Sequence, residues 1–191
     1  MINSIKDIIK INKITRTLIY KPYSWLRNKK IEKIRQKSSD LNKIGLMYGT
    51  DKSDNSHTYN NLTYLDIYEK YFSPIRFEKL KIVEIGVRGG NSLRVWKSYF
   101  PNAQIYGIDI NPECKKHQED RIKIYIGSQN DTRFLQSIID KVGLFDVVVD
   151  DGSHINELTI KSFNFLFPYV KQKEFILLKI YQLLTKTLTM L

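Results

Sequence analysis

The sequence predicts an α/β fold, a doubly wound parallel sheet with helices on both faces. Three observations carry that expectation. Four β-rich runs alternate with stretches able to hold a helix. The connections are short, and short right-handed crossovers leave a doubly wound arrangement. Glycine or acidic residues stand at or beside the end of each run, and open α/β sheets bind ligands outside the carboxyl ends of their strands.

The first run is Lys81–Val87, the second Gln104–Ile110, the third Ile122–Ile126 and the fourth Phe145–Asp150. All are rich in β-branched residues, which suit a pleated, buried strand. Helical patterns fill Asn91–Phe100, Asn111–Asp120, Asp131–Val142 and about Asn156–Tyr169. The chain of 191 residues suits about one domain. Hydrophobic residues at 42% and charged residues at 27% exclude a mainly disordered chain. Cys114 is the only cysteine, which excludes an intrachain disulfide and a cysteine zinc cluster. No apolar run reaches the roughly 18–20 residues of a membrane-spanning helix. The N-terminus carries no compact apolar core with a small-residue cleavage site, so the expected setting is the cytoplasm.

Charge divides the chain unevenly. Residues 1–39 hold 11 Lys/Arg against 2 Asp/Glu, while residues 40–191 are nearly balanced at +2. The arm 1–39 sets Ile2, Ile5, Ile8 and Ile9 among lysines at approximate helical spacing, and a second basic stretch runs from Arg27 to Lys37. This suits a helix lying on an anionic membrane surface, and equally a soluble leader helix packed on the body. No nucleic-acid-binding motif accompanies the charge, so no nucleic-acid partner is expected.

The strand ends carry the chemistry. The first gives Glu84-Ile85-Gly86-Val87-Arg88-Gly89-Gly90, an E-x-G-x-x-x-G pattern rather than the G-x-G-x-x-G of dinucleotide enzymes. Gly86 and Gly90 allow a tight turn and a close ligand, although glycine is also the ordinary turn residue. Asp109 ends the second run 23 residues after Gly86. It can accept both ribose hydroxyls or cap a helix. Ser128 and Gln129 end the third run and can bound an adenine, while Asp131 can cap the next helix. The fourth ends in Asp150-Asp151-Gly152-Ser153-His154. A carboxylate there can take a hard cation and a neutral imidazole can take a hydroxyl proton, or the segment can be a capped Asp-Gly turn.

These three nucleoside-suited strand ends resemble the class I S-adenosylmethionine (SAM)-dependent methyltransferases over about residues 43–172. A second segment narrows the resemblance. Gly49-Thr50-Asp51-Lys52 is followed by His57, Tyr59 and Tyr64. Paired with Asp-Asp-Gly-Ser-His, it is similar to the metal-dependent sugar O-methyltransferases of the mycinamicin and macrocin type. That resemblance implies a Rossmann-like sheet and methyl transfer from SAM to a hydroxyl of a sugar or glycosylated acceptor, as in polysaccharide or secondary-metabolite assembly. It implies that Thr50, Asp51, His57 and Tyr59 cover the cofactor, with Glu84, Gly86, Gly90, Asp109, Ser128, Gln129 and Asp150 in the cofactor site. Asp151 becomes the Mg²⁺ ligand and His154 the general base. No motif names the acceptor sugar or an oligomeric state.

One stretch departs from the family pattern. There the fifth strand is followed by Glu-Asp and a Thr-Ser-Tyr run, and the two acids complete the metal site. Here residues 173–191 hold no Glu-Asp pair. Permitted codons for Lys173–Thr185, read from the third base, encode Gly-Ile-Tyr-Ile-Ile-Glu-Asp-Leu-Ser-Thr-Ser-Tyr. The expectation is an out-of-frame tail, a sheet incomplete at its C-terminal edge and impaired transfer. The organisation expected is the arm 1–39, a cofactor-covering segment 40–80, a SAM-binding domain 81–172 and the atypical tail 173–191. The alternative is a non-catalytic SAM- or nucleotide-binding protein, or a decayed one, with a membrane-surface arm.

Overall fold

The structure is a computed structural model that describes residues 39–53 and 62–178, with the backbone alone from 172 to 178. The arm 1–38, His57 and Tyr59 lie outside the described residues.

Two helices precede the sheet. Helix α1 (Asp40–Tyr48) starts at Ser39, whose side chain accepts from the Asn42 N–H, and ends at Gly49 in the left-handed conformation. A single 3₁₀ turn, Asp51–Ser53, follows. Helix α2 (Tyr64–Phe72) opens with a capping box between Thr63 and Asp66. The two helices are also tied through Glu69, whose side chain accepts from the Leu41 N–H at 2.8 Å.

The sheet then runs β1 (Lys81–Ile85), β2 (Gln104–Asp109), β3 (Ile122–Ile126), β4 (Phe145–Asp150) and β5 (Val170–Leu178). Their spatial order is β3-β2-β1-β4-β5, and all neighbours are parallel. The order reverses between β1 and β4, which opens a crevice at their carboxyl ends. Between strands lie α3 (Asn91–Tyr99), α4 (Thr132–Val142) and α5 (Asn156–Leu166). The sheet is the doubly wound parallel arrangement that the alternating pattern predicts.

Period-two alternation divides the core. Ile82, Ile105, Val147 and Val149 face α1, α2 and α3, packing with Leu41, Leu65, Phe72 and Trp96. Val83, Ile85, Ile108 and Val148 face the other way, against Leu135, Ile138, Ile139 and Val142 of α4. Those α4 residues recur at helical spacing, so one stripe of the helix is buried.

Two elements differ from the pattern. The helix expected over Asn111–Asp120 is a 3₁₀ segment, Pro112–His117, capped by the Asn111 side chain on the Glu113 N–H. Of its six residues only Cys114 is buried, too little apolar anchoring to sustain an α-helix. Strand β5 crosses the expected boundary at 172/173 and pairs Val147–Asp150 with Phe175–Leu178, after a register shift near Phe145. Among the described residues, β4 is therefore covered, and β3 and β5 form the sheet edges.

Candidate functional site

The crevice at the strand ends is a cavity of about 670 Å³, within the range that holds a small ligand. Its walls include Thr50, Asp51, Lys52, Gly86, Asp109 and Ser128, with Gln129, Asp151 and His154 on the same surface.

The glycine loop forms the floor. Gly86 has φ 93°, and a side chain there would collide with the Asp151 carbonyl, so β1 and β4 exit in direct contact. The Gly86 N–H donates to the Ile108 carbonyl at 2.8 Å, and the Asp151 N–H to Ile85 at 2.9 Å. Gly90 caps α3 at φ 72° but does not line the cavity; His117 packs against it. Its part is to turn the chain so that Asn91 and Ser92, the first residues of α3, reach the crevice.

Asp109 braces that loop. Its Oδ2 accepts from the Val87 and Arg88 N–H groups at 2.8 and 3.0 Å, and its Oδ1 from Asn111 at 2.9 Å. Partial burial pushes its carboxyl pKa up, but the Arg88, Asn111 and Val87 N–H bonds outweigh it and hold the pKa below its ordinary value. The group is an ionised acceptor at the cavity wall. Asn111, not Asp109, caps the 3₁₀ segment.

Gln129 at the wall and Asp150 behind it share one network. Gln129 accepts from the Ser153 N–H at 2.9 Å and donates to Asp150 Oδ2 at 3.3 Å. Ser162 of α5 donates to the same oxygen at 2.9 Å, and the Gly152 N–H to Asp150 Oδ1 at 3.1 Å. Asp150 is buried and does not line the cavity. Burial pushes its carboxyl up, against the Gly152 and Ser162 donors. The network shapes the turn that follows β4. Ser128 lines the cavity and accepts from the Asn130 N–H, while Asp131 caps α4.

That turn presents His154. Its φ of 57° is a left-handed conformation held by the surrounding network, and its side chain is 42% exposed at the cavity mouth. His154 Nε2 stands 3.7 Å from Asp151 Oδ1. An imidazole beside a carboxylate, open to the crevice, can accept a hydroxyl proton.

Glu84 is placed differently from the expectation. It is wholly buried on the α3 side of β1 and does not line the cavity. Its Oε2 accepts from Trp96 Nε1 at 2.9 Å, and Lys52 Nζ stands 2.8 Å from its Oε1. Lys52 also donates to Asp151 Oδ2 at 2.5 Å. Lys52 is 3% exposed and is the only buried Lys or Arg among the described residues. Burial would lower its ammonium pKa, but Glu84 and Asp151 outweigh that and hold it well above the ordinary value. Burial likewise pushes the Glu84 carboxyl up, with Lys52 pulling the other way. The site reading of the sequence assigns Lys52 no role, although it stands in the Gly49-Thr50-Asp51-Lys52 run. Its signal was a lysine in a polar segment opposite two acids at adjacent strand ends.

Thr50 and Asp51 reach the cavity because Lys52 draws their turn onto the sheet. The Thr50 carbonyl accepts from the Ser53 hydroxyl at 2.7 Å, and Asn91 donates to the Gly49 carbonyl at 3.3 Å.

A Mg²⁺ ion takes about six oxygens, several from water and one or two from carboxylates. Among the described residues no group of three or more Asp, Glu, His or Cys could hold a metal. Asp151 offers one carboxylate, already paired with Lys52. The described residues therefore do not fit the ion.

No family model matches the chain. It is 41% identical over 140 residues to the mycinamicin VI 2''-O-methyltransferase of Micromonospora griseorubida, covering 69% of this chain and 33% of the relative. The demethylmacrocin O-methyltransferase of Streptomyces fradiae is 40% identical over 140 residues, with 69% and 34% covered. The chain thus spans about a third of the length of the curated relatives it matches. A crystal structure of the MycE methyltransferase of the mycinamycin pathway, with Mg, SAH and mycinamycin VI, matches at TM-score 0.66 and 36% identity. That match covers 74% of this chain and 37% of MycE.

Proposed function

We propose, from the premise that this chain is of the sugar O-methyltransferase lineage, that it binds SAM in the crevice and directs the methyl group to a hydroxyl of a glycosylated small molecule. The observation that carries this reading is one cavity with Asp109 on one wall and the His154–Asp151 pair on the other.

The Asp109 carboxylate accepts the ribose hydroxyls, and the Gly86 loop admits the backbone-close part of the cofactor. The His154 imidazole accepts the acceptor hydroxyl's proton. The oxygen then attacks the sulfonium methyl, the carbon–sulfur bond breaks, and methyl ether and S-adenosylhomocysteine (SAH) leave. Asp151 steadies the imidazolium that forms. Most of the rate in such a transfer comes from holding oxygen, methyl and sulfur in line. Thr50 and Asp51 close the crevice, and the assignment of His57 and Tyr59 to that cover stands as part of the same proposal. MycE is solved with Mg and SAH, and there the ion would supply acidification of the hydroxyl. With Asp151 as the single carboxylate available to it among the described residues, transfer in this chain is impaired on this reading. We infer a cytoplasmic setting, with the arm 1–39 resting on anionic lipid.

Isothermal calorimetry of the full chain with SAH, NAD and ATP tests the cofactor. SAH binding that neither nucleotide displaces supports the reading; equal binding of all three makes the crevice a general nucleotide pocket. Mass spectrometry of a glycosylated macrolide incubated with SAM tests transfer. Sedimentation with anionic liposomes, with and without residues 1–39, tests the arm; unchanged sedimentation removes it.

A further inference from the structure

We propose that the Lys52 ammonium is the resident cation of this crevice, occupying the Asp151 oxygen a divalent ion would need and making cofactor binding independent of magnesium. The inference rests on the SAM-binding reading only for its second half.

The geometry is that of a filled cation site. One ammonium lies 2.8 Å from Glu84 Oε1 and 2.5 Å from Asp151 Oδ2. Glu84 comes from the end of β1 and Asp151 from just beyond β4, so the ion pairs close the topological switch point itself. The ammonium donates to Asp151 and forms an ion pair with Glu84, away from water. A metal ion entering at Asp151 Oδ2 would have to expel a buried ammonium and leave it without its partners, which is costly in a low-dielectric site.

Lys52 is not free to swing aside. It sits in the centre of the Asp51–Ser53 turn, whose ends are held by the Ser53 hydroxyl and N–H on the Thr50 carbonyl. Gly45 of α1 packs so closely on that turn that a side chain there would press on Ser53 and Leu65. Moving the ammonium therefore moves the turn that carries Thr50 and Asp51. The same contact neutralises the buried acids and pins the cover to the sheet. It leaves Asp151 Oδ1 on the side of His154. Lys52 is a positioning residue in this scheme; it touches neither acceptor nor the transferred methyl.

The experiment uses the full chain and manganese as the probe, read from the free-ion signal in electron paramagnetic resonance without cofactor. The unsubstituted chain should take up no manganese with a dissociation constant below about 1 mM. Lys52→Met, which keeps the stem and removes the charge, should gain one site and bind at least about tenfold more tightly. SAH affinity of the unsubstituted chain, by calorimetry, should agree within about twofold in magnesium chloride and in EDTA. A tight manganese site in the unsubstituted chain overturns the proposal. So does a folded Lys52→Met that gains no manganese, or SAH binding that needs magnesium. If Lys52→Met does not fold, the two measurements on the unsubstituted chain still decide. Absence of any SAH binding overturns the SAM reading instead, and the manganese titration judges Lys52 regardless.

Discussion

Lys52 Nζ lies 2.5 Å from Asp151 Oδ2, joining the turn before the sheet to the end of β4 across 99 residues of sequence. Breaking a buried pair by removing one partner costs far more than the pair's net contribution, because a charge is left stranded. Two carboxylates are stranded here. Lys52→Met should lower unfolding free energy by about 3–5 kcal/mol, read as a fall in the urea midpoint with an unchanged slope. A loss below about 1 kcal/mol would place the pair with exposed ion pairs.

Asp109 gives the structure an acid-sensitive brace. Its folded pKa lies below the ordinary value because three N–H groups stabilise the carboxylate. The stability it contributes is whole above the unfolded value of about 3.9 and fades as pH falls through the lowered folded value. Asp109→Asn should therefore flatten the stability profile between about pH 4 and the folded pKa. It should also weaken SAH binding at neutral pH. Acid unfolding followed by circular dichroism, beside calorimetry at pH 7, checks both; parallel acid profiles would remove the brace.

His154 separates chemistry from binding. Its imidazole lines the cavity mouth but makes no bond to the glycine loop or to Asp109. His154→Gln should cut methyl transfer by about 10²–10⁴-fold, the usual contribution of a general base. SAH affinity should move little. A variant that loses both together would make His154 part of the cofactor wall.

The reading frame of the tail has a structural counterpart. Leu178 pairs with Asp150 at the carboxyl end of the β4–β5 ladder. In the shifted frame, permitted codons for Leu178 to Ile180 encode Glu-Asp, which would fall beside the turn carrying Asp151. Sequencing genomic DNA across codons 165–191 should find that alternate frame encoding Gly-Ile-Tyr-Ile-Ile-Glu-Asp. Codons that encode anything else leave the tail in frame.

Much of the fold was legible in the sequence because its signals are local. Alternating β-rich and helical runs set the parallel sheet, and capping residues such as Asp131 marked a helix start. The glycine at 86, the acids at 109 and 151 and the histidine at 154 sat at or just beyond strand ends, where any ligand of such a sheet must bind. The helix over Asn111–Asp120 misled, since its polar residues matched a helical period without an apolar stripe long enough to hold it.

What the sequence determined by itself is the set of strand ends and hence the list of groups around one crevice. What only the tertiary structure decided is which of them face it. Glu84, Asp150 and Gly90 sit beside the cavity without lining it, whereas Lys52 does line it. For Glu84 and Asp150 the physical reason is that a strand's pleat sends neighbouring side chains to opposite faces. A buried carboxylate then needs a partner, and for Glu84 that partner came from a turn 32 residues upstream.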